Sequence, residues 1–223
     1  MNLINTFLNV QVLADSLPQL MWGLVVTLKI GVTSILFGLV GGLVLAVGRL
    51  YAPFFVRILI RGYVDICRSV PLLVLLIVVY YALPFVGIRL SPFVSAVTAL
   101  SLVSAAYTSE IFRAGIEAIP NGQFEASAAL GLSNRHTMVD VILPQAIRIV
   151  IPPLTNNCIN VMKDTALASV VAMPDLLKQA TQAQALSANP TPLIGAALIY
   201  IALLWPMTAV VARLEKHLSR GTR

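Results

Sequence analysis

The sequence predicts an all-α integral membrane protein, and three observations carry that reading. Hydrophobic residues make up 58% of the 223 and charged residues only 11%, with a mean hydropathy of +0.90; a soluble domain carries about 25% charged residues. Lipid, not water, is then the solvent for most of the surface. Five windows also reach the roughly 20 mostly apolar residues that a spanning helix needs. Finally, Lys and Arg fall in short clusters between these windows and do not form one patch.

The first window covers about 21–47 and holds a single charge, Lys29, which either snorkels outward or faces a neighbouring subunit. Residues before Met21 carry no Lys or Arg, and the apolar run is too long for a signal peptide, so the segment is expected to stay as the first span. The second and third windows, about 69–88 and 90–109, are separated by a tight turn around Gly87–Pro92 and form a hairpin. The fourth, about 149–172, contains the pair Lys163 and Asp164, and the fifth covers about 193–212. The segment 174–192 is polar and rich in Gln and Ala, and is expected to hold a short helix lying at the outer surface. No internal repeat or second domain is visible, so residues 1–223 read as one membrane domain.

Orientation follows from the basic residues. Arg49, Arg57, Arg61 and Arg68 follow the first span; Arg113, Arg135 and Arg148 follow the third; Arg213, Lys216, Arg220 and Arg223 follow the fifth. Only Arg89 and Lys178 fall on the other side. This positive-inside bias puts the N-terminus outside and the C-terminus in the cytoplasm of a multi-pass protein.

Several function classes lose their footing. The net charge of +6 is dispersed among loops, so a nucleic-acid partner is not expected. Cys67 and Cys158 are isolated in apolar sequence and read as packing residues, with no disulfide or metal site. No Lys follows a Gly, which excludes a P-loop in this chain. His136 and His217 are far apart, leaving no HExxH zinc site, and no GxSxG elbow is present. No catalytic residue and no bound cofactor are expected.

The informative connection is the longest, about 110–147. Its stretch from Gln123 to Leu130 is Ala-rich, and Gly131 suits a helix stop, so a short helix over about 122–131 is expected. Pro144 is expected to break the backbone ladder just before the next span. Taken alone, this reads equally well as an ordinary solvated loop helix.

The spacing narrows the choice. Glu125-Ala126-Ser127, three residues, Gly131, nine residues, then Val141-x-Leu143-Pro144 resembles the EAA motif of bacterial ABC importer permeases. Ser127 for Ala and Val141 for Ile are departures conservative in size. The segments 68–73 (RSVPLL), 106–115 (AYTSEIFRAG), 143–146 (LPQA) and 163–167 (KDTAL) are similar to the polar amino acid uptake subfamily, and the similarity covers nearly the whole chain.

The resemblance implies the five-helix type I importer fold in the bacterial inner membrane. It implies a cytoplasmic coupling helix, carried here on Gly122, Glu125, Ala126, Gly131 and Pro144, that docks on an ATP-binding subunit. It further implies a second permease subunit, identical or homologous, two ATP-binding subunits that hold the ATP and magnesium, and an extracytoplasmic substrate-binding protein. A self-sufficient secondary transporter or channel is the rival, and the missing repeat argues against it.

Four residues are candidates for the substrate pathway. Charges inside a span are costly and face a polar cavity or each other, so Asp164 and Lys163 are suited to the ammonium and carboxylate of an amino acid. A position near the outer interface, with Lys163 snorkelling and Asp164 capping a helix break, accounts for them equally. Tyr107 either lines the path or is an interfacial aromatic. Glu110 is three residues from Arg113 and pairs with it on one helix face, a reading preferred over gating. Arg68 reads as an interfacial anchor, and His136 and His217 as surface residues.

Overall fold

The computed structural model describes residues 6–219, all helix and connections among the described residues. His217, Arg220 and Arg223 lie outside the residues whose side chains are described. Among the described residues four helices are long and apolar enough to cross a membrane, and a pair of shorter helices bent by 105° makes a fifth if the pair counts as one span.

Helix α1 runs from Val10 to Tyr51, far beyond the expected 21–47. The Asn9 side chain caps it, accepting from Gln11 N–H at 3.1 Å and Val12 N–H at 3.2 Å. Its first turns contain Asp15, Ser16 and Pro18, polar enough to be invisible to a hydropathy window. Its buried stripe is built of small residues, among them Gly31, Ser34, Gly38 and Gly42. A Cβ on Gly38 would lie 2.3 Å from the Ser104 hydroxyl, and one on Gly42 2.4 Å from Thr108. Close backbone approach of this kind is how membrane helices associate without a hydrophobic driving force.

Helix α2, Phe54–Ser69, occupies what the sequence presented as a basic connection. Ile60, Tyr63, Val64 and Cys67 pack on Ala106, and the Tyr63 hydroxyl donates to the Leu102 carbonyl at 2.7 Å. The second span therefore begins at Leu72, not at 69. Pro71 has no N–H to continue α2, and Val70 before it is forced to extended backbone (φ −86°, ψ 128°), which makes the bend. Helix α3, Leu72–Ile77, continues as a π turn Val78–Ala82 and a 3-10 turn Leu83–Val86. Gly87, at φ +86°, closes it and starts the expected hairpin.

Helix α4, Pro92–Glu117, is capped by Ser91 and runs eight residues past the predicted end at 109, carrying Glu110, Arg113 and Glu117 with it. Helix α5, Asn121–Ala129, is the short connecting helix. Its stop is a Schellman motif: Gly131 at φ +72°, with Leu132 N–H bonded to Ser127 C=O at 3.0 Å and Gly131 N–H to Ala128 C=O at 3.0 Å.

Pro144 does not break the chain as expected. A short turn α6, Asn134–His136, passes through a π segment, Thr137–Ile142, straight into α7, Leu143–Asp164. Leu143 N–H bonds back to Met138 C=O, a five-residue step that widens the ladder just ahead of the proline ring. Helix α7 ends in a 3-10 stretch, Thr165–Val171.

Helix α8, Leu176–Ser187, lies in the polar segment where a helix was expected, but it is wedged into the bundle. Leu176, Ala180 and Leu20 are fully buried against one another, and the Leu176 N–H donates to Thr27 Oγ1 of α1 at 3.0 Å. The last helix, α9, is Thr191–Ser219.

Contacts fix the directions of the spans. Gly38 opposes Ser104 and Gly42 opposes Thr108, so α1 and α4 run parallel. The bent α2–α3 pair must then return the chain across the bundle. Asn157 of α7 meets Ser104 and Thr108 while Gly115 meets Val150, so α7 is antiparallel to α4. Gly195 of α9 packs on Leu13 and Leu20, and further on Leu204 and Val211 cluster with Leu28 and Ile35, so α9 is parallel to α1.

One group outside the spans carries a pH dependence. Asp175 caps α8 through Oδ1, 3.1 Å from Lys178 N–H, while its Oδ2 is buried without a partner among the described residues. Burial is the main cause that pushes its carboxyl up to about 6. The unfolded chain releases this proton near pH 4, so the fold loses stability as pH rises from about 4 to about 6, and the loss is complete above that. Asp175→Asn keeps a capping oxygen and removes the charge. Thermal midpoints in detergent are expected to be higher than the parent's at pH 8 and equal at pH 4; a lower midpoint at pH 8 would show that the carboxylate stabilises.

Candidate functional site

Two helix faces build the site. On α4, Leu100, Val103, Ser104 and Tyr107 recur at helical spacing; on α7, Asn157, Asn160, Val161 and Asp164 do the same, with Lys163 beside them. The α4 face, the α7 face and Leu72 at the start of α3 enclose a cavity of about 270 Å³. That is just below the roughly 300–1,000 Å³ of pockets for drug-sized ligands, a size for one small polar molecule.

The cavity is polar where the spans around it are apolar. Asn157 is buried, and its Nδ2 donates to Ser104 Oγ at 3.3 Å and to Thr108 Oγ1 at 3.2 Å, which fixes its amide. Asn160 and Lys163 are exposed, and Asp164 is half-buried. Lys163 and Asp164 are not ion-paired among the described residues. Adjacent residues on a helix project about 100° apart, so each is free to meet a different group of a bound molecule.

Tyr107 leads from the cavity to a charged cluster. The Arg68 guanidinium lies over its ring, 5.5 Å from the centroid. Arg68 is also 3.8 Å from Glu110 Oε1. Glu110 in turn accepts from Arg49 at 2.8 Å and from Arg113 Nε at 3.0 Å, and Arg113 pairs with Glu117. Helices α1, α2 and α4 are thus tied together at one carboxylate.

The structure brings three of the four pathway candidates, Asp164, Lys163 and Tyr107, to one cavity. Glu110 is absent from its lining; it is the centre of the ion cluster, and the Arg113 pairing is extended to Arg49 and Arg68. Arg68, read as an interfacial anchor, is exposed and also reaches the Tyr107 ring and Glu110. Sequence reasoning missed Asn157 and Asn160, although polar residues at spacing three and four in an apolar span were a readable signal.

The short helix α5 is placed at the same end of the bundle as this cluster. Only Ser127 is buried on it, its hydroxyl donating to Gln123 C=O at 2.7 Å. Phe124 rests against the cluster of Ile119, Ile142 and Ala146. Gly122, Glu125, Ala126 and Leu130 are exposed, as is Pro144. Gln145 Nε2 reaches Gln123 Oε1 at 3.2 Å, tying α5 to α7.

Residues 38–223 match the family described as binding-protein-dependent transport system inner membrane component. The chain belongs to that family. This inner membrane component is 40% identical over 206 residues to the arginine transport system permease protein ArtQ of Bacillus subtilis, covering 91% of this chain and 93% of the relative. It is 37% identical over 205 residues to the L-cystine transport system permease protein TcyB of the same organism, covering 91% and 88%. A solved amino acid ABC transporter with histidines superposes with a TM-score of 0.88 at 32% identity, over 92% of this chain and 96% of that one. The inward-facing MetNI methionine ABC transporter, at 21% identity and a TM-score of 0.68 over 94% and 97%, supports the type I importer fold.

Proposed function

We propose that this transport component is the membrane permease subunit of an ATP-driven, binding-protein-dependent importer of polar amino acids, and that the α4–α7 cavity is where the cargo passes. The observation that carries the cargo reading is the cavity itself. It offers an acid, a base and two carboxamides in about 270 Å³, matching the ammonium, carboxylate and polar side chain of an amino acid. Asp164 meets the ammonium, Lys163 the carboxylate, and Asn157 and Asn160 the remaining polar groups; Tyr107 closes the floor. The relatives' cargoes are all amino acids, which agrees.

The chain makes no covalent chemistry in this reading. ATP and magnesium are held by two partner ATP-binding subunits, a second permease subunit completes the pathway, and an extracytoplasmic binding protein delivers cargo. The basic loops put α5 and the Glu110 cluster on the cytoplasmic side. The exposed face of α5, with Gly122, Glu125, Ala126 and Gly131, is the coupling surface for the ATP-binding subunit. Pro144 holds the α6–α7 strut beneath it.

The test is transport by Asp164→Asn. A hydrogen bond to a charged group contributes about 1.5–3 kcal/mol, so apparent affinity for the cargo in the assembled complex is expected to fall about 10- to 100-fold. Lys163→Gln is expected to fall similarly, while ATP hydrolysis without cargo stays unchanged. Unaltered uptake by both variants would remove the cavity from the pathway.

A further inference from the structure

Helix α2 has a surface divided into three strips. Ile60, Tyr63, Val64 and Cys67 face the bundle. Phe55, Leu59 and Ile66 form a second strip at helical spacing and are 78%, 72% and 63% exposed. Arg57 and Arg61 begin a third strip; both are exposed, and neither is ion-paired among the described residues.

The 105° bend sets α2 nearly perpendicular to the helix that follows it, so an α3 standing along the spans leaves α2 in the membrane plane. A helix lying there with an apolar strip on one face and a cationic strip on the opposite one fits a bilayer interface. Charge decides what covers it. Two unpaired arginines find their counter-charge in anionic head groups, whereas a second copy of this chain carries a net charge of +6.

We propose that α2 is an in-plane helix that binds anionic phospholipid head groups through Arg57 and Arg61, with Phe55, Leu59 and Ile66 set among the acyl chains. Its last turn carries Arg68, which touches Tyr107 and Glu110. Head-group binding therefore acts on the floor of the cavity. This link to transport rests on the permease reading; the lipid contact does not.

Two measurements test it. In the first, Leu59→Cys is labelled with an environment-sensitive fluorophore in a chain carrying Cys67→Ala and Cys158→Ala. The chain is placed in vesicles of phosphatidylcholine with or without phosphatidylglycerol, with either lipid brominated. Quenching is expected from both, and stronger from the phosphatidylglycerol, which each arginine enriches about fivefold; Arg57→Gln with Arg61→Gln removes the preference and keeps the quenching. No quenching, or a disulfide linking two copies of the same Leu59→Cys chain left unlabelled, would put protein over the strip and overturn the proposal. Equal quenching by the two lipids would overturn the charge recognition.

In the second, ATP-driven uptake by the whole complex is compared in the two vesicle types. Phosphatidylglycerol is expected to raise uptake by the parent and not by the double arginine variant, whose uptake in phosphatidylcholine matches the parent's. Equal stimulation of both would overturn the link to the cavity. A complex with no uptake in any lipid would count against the permease reading, while the quenching result would stand.

Discussion

Uptake is expected to fall to background when Glu125 becomes Arg, and equally when Gly131 becomes Leu, with membrane insertion and complex abundance unchanged. Glu125 is exposed on α5 and makes no ion pair among the described residues. Reversing its charge alters only what that face presents to a partner. Gly131 acts through backbone. At φ +72° it donates to Ala128 C=O and lets Leu132 N–H reach Ser127 C=O, and a Cβ there would meet open space. The cost of Leu is therefore conformational, about 1–2 kcal/mol, enough to unwind the end of a nine-residue helix and misplace its face. ATP hydrolysis measured alongside separates the cases. Hydrolysis without uptake marks lost coupling, and normal uptake by both variants would take the coupling role away from α5.

A second large effect is expected at Glu110, this time on stability. Its carboxylate answers Arg49, whose side chain is only 11% exposed. Removing one partner of a fully buried pair costs about 3–5 kcal/mol; this pair is part-buried, with Glu110 22% exposed, so the cost falls below that range. Arg68 and Arg113 are each 40% exposed, so water screens them and Arg49 dominates the penalty. Glu110→Ala is expected to lower the thermal midpoint in detergent by several degrees, and Arg49→Met added to it to recover part of the loss. A midpoint unchanged in the single variant would show that the three helices are held by packing alone.

The spans and the short helix were legible because each leaves a local trace: about 20 apolar residues, or an Ala-rich run ended by a glycine. What local patterns missed, neighbouring helices decided. Residues 10–20 are too polar for a hydropathy window, yet they are helical because Asn9 caps them and Leu13 and Leu20 pack on Gly195. Helix α2 was hidden because its cations counted as loop, and its amphipathic period was not read. The wedging of α8 depends on Gly23 leaving room for the Leu176 backbone, 2.8 Å from where a Cβ would be. That is a long-range fact no window holds. At the site, Lys163 and Asp164 stood out as charges in a span, while Asn157 and Asn160 were passed over because a carboxamide barely shifts hydropathy. Glu110 looked like a local pair with Arg113 because Arg49, the least exposed of its partners, is 61 residues away.

The most direct measurement is uptake of a panel of radiolabelled amino acids into proteoliposomes holding the complete complex, with its binding protein outside and ATP inside. Uptake of one or two polar amino acids, lost without ATP and lost again with Asp164→Asn, is the predicted result and names the cargo. Uptake by this chain alone under an ion gradient, indifferent to ATP, would contradict the account.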